Sequence, residues 1–389
     1  MRLAERCVAG VEELVWKRAY SSAWKLLSRL LESRHDGTEP RVERAAVYVH
    51  IPFCGKPCQF CCFVRFPAYE HNLVRYYKLL GREISEVSSR MELRATHVHV
   101  GGGTPAVEPY ELAELVDKMR ECFGRFTLTI EIHPENVLND ESLEVLKSIK
   151  PDRVSLGVQS FHDELLQRLG RYSHNGREAL EATKRSAGLA PTVNIDLVWG
   201  IPGQSVQEAL EDLKLALDSG VNQITLYPLL GAARIRHPEA FKMYTELINL
   251  ARSKGWVNST PWTINATPTT INEYIIEDED YVGFGVSSIS MIRGVIYANT
   301  FNVSRYEKLV EAGRWSAVMK TRMKQHEKIG YMIMNALEVS VSAVANVLES
   351  VSSILSMPLR LSMYLAGEAR RAVYAALTRF RRSALTRGV

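Results

Sequence analysis

Six short apolar runs alternate with helix-like stretches between Ala46 and about Gly231, and this alternation leaves the chain few architectures. The runs are Val47–Ile51, His97–Val100, Phe126–Ile132, Arg153–Val158, Val193–Val198 and Gln223–Leu229. Between them lie helix-like stretches, including Glu70–Ser89, Pro109–Cys122, Glu141–Ile149, Glu178–Gly188 and Val206–Ser219. The runs are apolar without clean alternation, as strands buried on both faces are. Repetition of this kind predicts an α/β fold with a parallel sheet. Right-handed crossovers would curl the six strands into part or all of a β/α barrel. Chemistry in such barrels collects at the carboxyl ends of the strands, so the loops after each run are where site residues are expected.

The first run stops at Pro52, and Cys54, Cys58 and Cys61 follow on a loop holding Gly55 and Pro57. Three thiolates this close can wrap one face of a metal centre and leave one coordination position without a protein ligand. Zinc and iron–sulfur both suit thiolates. A closed zinc site wants a fourth Cys or His at a second knuckle, usually in a distant pair. The sequence has no second Cys-x-x-Cys pair. A four-iron cluster with one open iron needs three cysteines only. The plain alternative is buried cysteines acting as small hydrophobes. Cys62 adjoins Cys61 and would point away from the same face of an extended segment. It is therefore read as a packing residue beside the site rather than a ligand.

Four of the six cysteines fall in this loop, and Cys7 and Cys122 are isolated, which does not look like a disulfide framework. A reduced cytoplasmic compartment is expected, and an iron–sulfur centre would also demand low oxygen. A net charge of +4 is too small to argue for nucleic acid, and 46% hydrophobic residues are ordinary for a globular protein. The first residues lack the apolar core of a signal peptide. No apolar run reaches the roughly 18 residues of a membrane span.

The spacing Cys-x-x-x-Cys-x-x-Cys, with Phe60 before the third cysteine, resembles the cluster loop of radical S-adenosylmethionine (radical SAM) enzymes. The wider phrase Tyr48-Val-His-Ile-Pro-Phe-Cys54 resembles the oxygen-independent coproporphyrinogen III dehydrogenase (HemN-type) and haem-chaperone-like branch. The resemblance implies a [4Fe–4S] cluster on Cys54, Cys58 and Cys61, whose open iron chelates S-adenosylmethionine. One or two molecules of that cofactor would bind. Reductive cleavage would give a deoxyadenosyl radical that takes a hydrogen atom from a carbon of a small-molecule substrate. An external donor of flavodoxin or ferredoxin type would supply the electron.

Further motifs follow the later strands in the order the family shows. Gly101-Gly102-Gly103-Thr104-Pro105 reads from its residues as either a plain tight turn or a backbone open to a ligand. The resemblance assigns Gly102, Gly103 and Thr104 to the amino-acid end of the cofactor. Glu131 reads as a solvated carboxylate or, by resemblance, a cofactor contact. Gln159 and Arg171 read as a polar surface pair. By resemblance Gln159 bonds ribose hydroxyls, and Arg171 meets a carboxylate bidentately. Asp196 lies inside an apolar strand, where burial costs several kcal/mol unless it is paired. A structural partner would serve, and the resemblance implies a ribose contact. Phe60 and Tyr48 complete the cofactor set, with Tyr48 near the sulfonium and Tyr48 and Arg171 as the catalytic candidates.

The resemblance covers roughly residues 46–310, with departures inside it, and beyond the barrel it weakens. The family often has histidine where this chain has Ile289, and haem-carrying relatives place a His-Asn pair where it reads Ile271-Asn272. The porphyrinogen-oxidising enzymes usually have a fourth cysteine at Phe63. These departures weigh against a porphyrin substrate and more strongly against a haem-binding chaperone. The two isoleucines would make the pocket more apolar. Tetrapyrrole oxidation remains the analogy, with methyl transfer or cyclisation on an apolar substrate using two cofactor molecules as the alternative.

The expected organisation is an N-terminal helical segment (1–44), the barrel core (45–235), an extension completing the substrate side (236–320) and a helical C-terminal region (321–389). Met332, Met334, Leu337, Val341, Val344, Val347, Leu348, Val351, Ile354 and Leu355 form an apolar helical pattern that Pro358 is expected to interrupt. Arg370, Arg371, Arg379, Arg381, Arg382 and Arg387 then lie among apolar residues. Such a helix either caps the barrel with a solvated arginine face or lies on an anionic membrane surface, making the protein peripheral to the membrane.

Overall fold

The computed structural model describes residues 2–230, 239–267, 280–328 and 353–389. Its core strands are β1 (Arg44–Ile51), β2 (Arg94–Gly102), β3 (Thr127–Ile132), β4 (Arg153–Gln159), β5 (Thr192–Trp199) and β6 (Gln223–Pro228), each on one of the apolar runs. They pair in parallel and in sequence order. Val47, Val98, Ile130, Val154, Ile195 and Ile224 are fully buried between the sheet and its helices. The crossover helices start where a side-chain oxygen caps them. Asn72, Asn139, Asn175 and Ser205 each accept from the backbone N–H three residues on.

The sheet continues past the expected six strands. Beyond β6 lie two short antiparallel strands, β7 (Val257–Asn258) and β8 (Thr263–Asn265). On the other side of β1 a further parallel strand, β9 (Tyr281–Phe284), precedes antiparallel β10 (Ile289–Ile292), β11 (Val295–Asn299) and β12 (Ala317–Arg322). Among the described residues the order is β12-β11-β10-β9-β1-β2-β3-β4-β5-β6-β8-β7, an open sheet with two edges rather than a closed barrel. Buried Glu83, on helix Leu73–Met91, fastens the added strands to the core. It accepts from Gly285 N (2.9 Å), Tyr306 Oη (3.0 Å) and Ser316 N (3.1 Å).

The N-terminal helix, Arg2–Glu32, ends ahead of Asp36–Pro40 and packs on the C-terminal helix, Ser353–Thr386. Phe380 and Ala384 are buried with Leu27, Leu30 and Leu31. The C-terminal helix runs through Pro358 instead of breaking there: one proline removes a single i→i−4 bond, and the remaining ladder carries the helix past it. Several of its arginines are engaged by the protein. Arg379 lies 3.9 Å from the Trp24 ring centre, Arg371 pairs with Glu368 at 3.1 Å, and Arg370 sits 5.6 Å from the Trp262 ring centre. Arg382 and Arg387 are exposed. No described helix is long and apolar enough to cross a membrane. Met332 to Val351, and Ile271-Asn272, lie outside the described residues. Ile289 packs beside the cluster formed by the terminal helices and does not border the cavity described next, which corrects its expected place in the pocket.

Candidate cofactor site

A cavity opens at the carboxyl ends of β1 to β6. The loop after β1 supplies Cys54, Cys58, Phe60 and Cys61, and Cys62 also borders the cavity rather than turning from it. Two short strands, Phe53–Cys54 and Phe66–Pro67, pair to close this loop. Inside it Arg65 donates to the carbonyls of Cys61 (3.3 Å), Phe63 (3.5 Å) and Cys58.

Gly102, Gly103 and Thr104 border the cavity from the end of β2. Their N–H groups are already used: Gly102 donates to Glu131 (2.9 Å), Gly103 to the Ile51 carbonyl (2.8 Å) and Thr104 to the Phe53 carbonyl (2.7 Å). These bonds occupy the three N–H groups of the turn. The glycines also permit close packing. A Cβ on Gly102, whose φ is +118°, would meet the His50 ring at 2.5 Å, and one on Gly103 would meet the Phe53 backbone at 2.6 Å.

Glu131, near the end of β3, is partly buried and hydrogen-bonded rather than free in solvent. It accepts from His99 Nε2 at 2.9 Å as well as from Gly102. Burial opposes its ionisation, but these bonds outweigh burial and hold its pKa below the ordinary range. At the end of β4 the ladder with β5 slips between Gly157 and Gln159, and Gln159 takes a left-handed φ of 76°. That bulge places Gln159 on the cavity wall. Arg171 is buried, donating to the Gly157 carbonyl and to Cys58 Sγ at 3.1 Å. Asp196, in β5, accepts from Asn194 Nδ2 (2.8 Å) and Ser155 Oγ (3.2 Å), and burial raises it to about 7.

Tyr48 alone among the expected residues lies behind the cavity wall. Its hydroxyl bonds His50 Nδ1 at 2.8 Å. Burial lowers His50 to about 4, and its Nε2 faces the Val64 carbonyl at 3.2 Å, so neutral His50 accepts from Tyr48. Burial also pushes the Cys54 thiol up to about 12 and raises Cys61, so isolated thiolates are disfavoured in the loop. A cationic iron group is what would hold such thiols ionised, and three soft donors around one cavity fit it. Among the described residues no three His, Cys, Asp or Glu side chains gather as they would round a single metal ion. A four-iron cube with one open iron asks instead for a single thiolate at each of three irons.

The radical SAM superfamily matches residues 48–216. This segment is a radical SAM domain. It is similar to curated proteins of the HemN-like branch. The heme chaperone HemW of Buchnera aphidicola subsp. Acyrthosiphon pisum is 29% identical over 196 residues, 47% of this chain and 50% of that protein. The oxygen-independent coproporphyrinogen III oxidase of Bradyrhizobium diazoefficiens is 31% identical over 219 residues, 54% of this chain and 47% of that protein. The chain thus spans about half the length of these relatives. Among solved structures, coproporphyrinogen III oxidase (HemN) from Escherichia coli shares the fold, with a TM-score of 0.66, 20% identity, and coverage of 81% of this chain and 78% of that one.

A radical SAM domain implies a [4Fe–4S] cluster and S-adenosylmethionine, and Cys54, Cys58 and Cys61 are the residues here that would hold the cluster. Several residues around the radical SAM cavity carried no readable signal. His99 and Arg153 project from strand interiors, and Arg65 works through backbone carbonyls. Tyr374 reaches the cavity from the C-terminal helix. None of the described residues between 239 and 322 borders it, so the expected contribution of that extension is not seen there.

Proposed function

We propose that the chain is a radical SAM enzyme acting on a small molecule bound in this cavity. One observation carries the reading: Cys54, Cys58, Cys61, Gly102–Thr104, Glu131, Gln159, Arg171 and Asp196, from five strand ends, border a single cavity. When bound, the cluster supplies the electron for reductive cleavage of S-adenosylmethionine, the source of a radical able to take hydrogen from carbon. The chain's own residues bind and orient. Glu131, held ionised by His99 and the Gly102 N–H, presents a carboxylate to a cationic amino group. Asp196 and Gln159 offer hydrogen-bonding groups to hydroxyls. Arg171 ties the cysteine loop to the end of β4. Val198, Tyr227, Leu230 and Tyr374 give one side of the cavity an apolar and aromatic wall that excludes water from the reacting carbon.

For the substrate we favour a tetrapyrrole, on the likeness to coproporphyrinogen III oxidases. The electron would come from an external flavodoxin- or ferredoxin-type protein. Anaerobic incubation with dithionite and S-adenosylmethionine tests the reading. Deoxyadenosine formation supports it, homocysteine derivatives alongside would redirect it to methyl transfer, and no cleavage by fully loaded protein would overturn it. A haem-binding chaperone is the second reading, favoured by likeness to HemW. A haem titration without a Soret shift would remove it.

A further inference from the structure

The cysteine loop is gripped by two arginines from opposite ends of the chain. Arg65 holds it from within. Arg381, 319 residues after Cys62, donates from Nη1 to the Cys62 carbonyl at 3.0 Å, and its guanidinium lies 5.2 Å from the Phe63 ring centre. Phe63 meets Tyr374 edge-to-face at 6.5 Å, and Tyr374 packs on Trp262 at 6.2 Å. The helix carrying Arg381 is fixed in place. Phe380 is fully buried against Phe301 (5.6 Å), and at Gly367 the helix passes so near Trp262 that a Cβ there would lie 2.6 Å from Nε1.

We propose that Arg381 is a positioning residue for the cluster: it locks the Cys61-Cys62-Phe63 turn and raises the cluster's reduction potential with a permanent positive charge. The first half follows from geometry. A short loop fastened at the Cys58, Cys61 and Phe63 carbonyls by one guanidinium and at the Cys62 carbonyl by another has little freedom left. The second half follows from charge. Reduction makes an iron–sulfur cluster more negative, so a neighbouring cation favours the reduced form. Arginine stays protonated under all working conditions. Its guanidinium sits in the loop itself, within hydrogen-bond distance of the Cys62 carbonyl beside Cys61. The charge effect rests on the radical SAM reading, and the locking does not.

The test compares the full chain with Arg381→Gln and Arg381→Lys, with melting curves to confirm folding. In cluster-free protein, alkylation by iodoacetamide is mapped by peptide mass spectrometry. We expect Cys61 and Cys62 to react several-fold faster in both variants, with Cys122 unchanged as the internal reference. Equal rates at Cys61 and Cys62 would overturn the locking role. In reconstituted protein, a redox titration followed by electron paramagnetic resonance should place Arg381→Gln at a more negative potential and Arg381→Lys near the unsubstituted chain. Equal potentials in all three, or equal shifts in both variants, would overturn the charge role. Should Arg381→Gln fail to fold, Arg381→Met takes its place as the neutral variant, with the same results expected and the same results overturning each role. Failure of all three proteins to take up a cluster would sink the radical SAM reading and with it the charge role, while alkylation still decides the locking role.

Discussion

Arg171 donates to Cys58 Sγ at 3.1 Å and, with its other terminal nitrogen, to the Gly157 carbonyl. One planar fork therefore joins the loop after β1 to the bulge ending β4. Lysine cannot span both acceptors, because it presents a point charge rather than a fork. Arg171→Lys should reduce S-adenosylmethionine cleavage by about 10–100-fold, the usual cost of losing a partner that orients a metal ligand. Iron content and single-turnover cleavage, measured on the same preparation, check it.

Asp196 gives the site a pH dependence of defined sign. Burial holds its folded pKa at about 7, above the ordinary carboxylate value of the unfolded chain. Between those two values the folded state keeps a proton that the unfolded state releases, so this group's contribution to stability falls as pH rises and levels off above about 7. Asp196→Asn should match the parent near the acid end of that window and exceed it in stability at about pH 8, by on the order of a few kcal/mol. Urea midpoints at about pH 5 and about pH 8 measure the difference, and a constant gap would contradict it.

The close packing at Gly103 makes a separate prediction. A Cβ there would press on the Phe53 backbone, which has no rotamer through which to yield. Gly103→Ala should lower stability by about 1–3 kcal/mol, as over-packing does, and should slow cluster uptake by shifting Phe53 beside Cys54. Gly55, where a Cβ meets nothing within 4 Å, supplies the control. Gly55→Ala should load its cluster at the parent rate. Chemical denaturation and iron uptake kinetics read both effects.

Much of the site was legible because a parallel sheet brings the ends of all its strands to one side. Once the six apolar runs are aligned, Cys54, Glu131, Gln159 and Asp196 must share that side. Their partners were harder to read. His99 sits within an apolar run, and nothing local says that its Nε2 will hold Glu131 ionised. The glycines at 102 and 103 suggested access to a ligand, whereas His50 and Phe53 fill the space beside them. Short β9 gave no periodic signal of its own, although it extends the parallel sheet past β1. Arg381 and Tyr374 reach the site only because the C-terminal helix folds back on the N-terminal helix. A basic helix read in isolation shows a charged face, not the loop carbonyl that accepts from it.

Iron and sulfide content with electron paramagnetic resonance, measured on anaerobically reconstituted single-cysteine variants, bears most directly on the whole account. Cys54→Ala, Cys58→Ala and Cys61→Ala should each lose the [4Fe–4S] signal, while Cys62→Ala keeps it and responds to S-adenosylmethionine as the unsubstituted chain does. A complete cluster in Cys58→Ala, or an unsubstituted chain that stays colourless after loading, would contradict it.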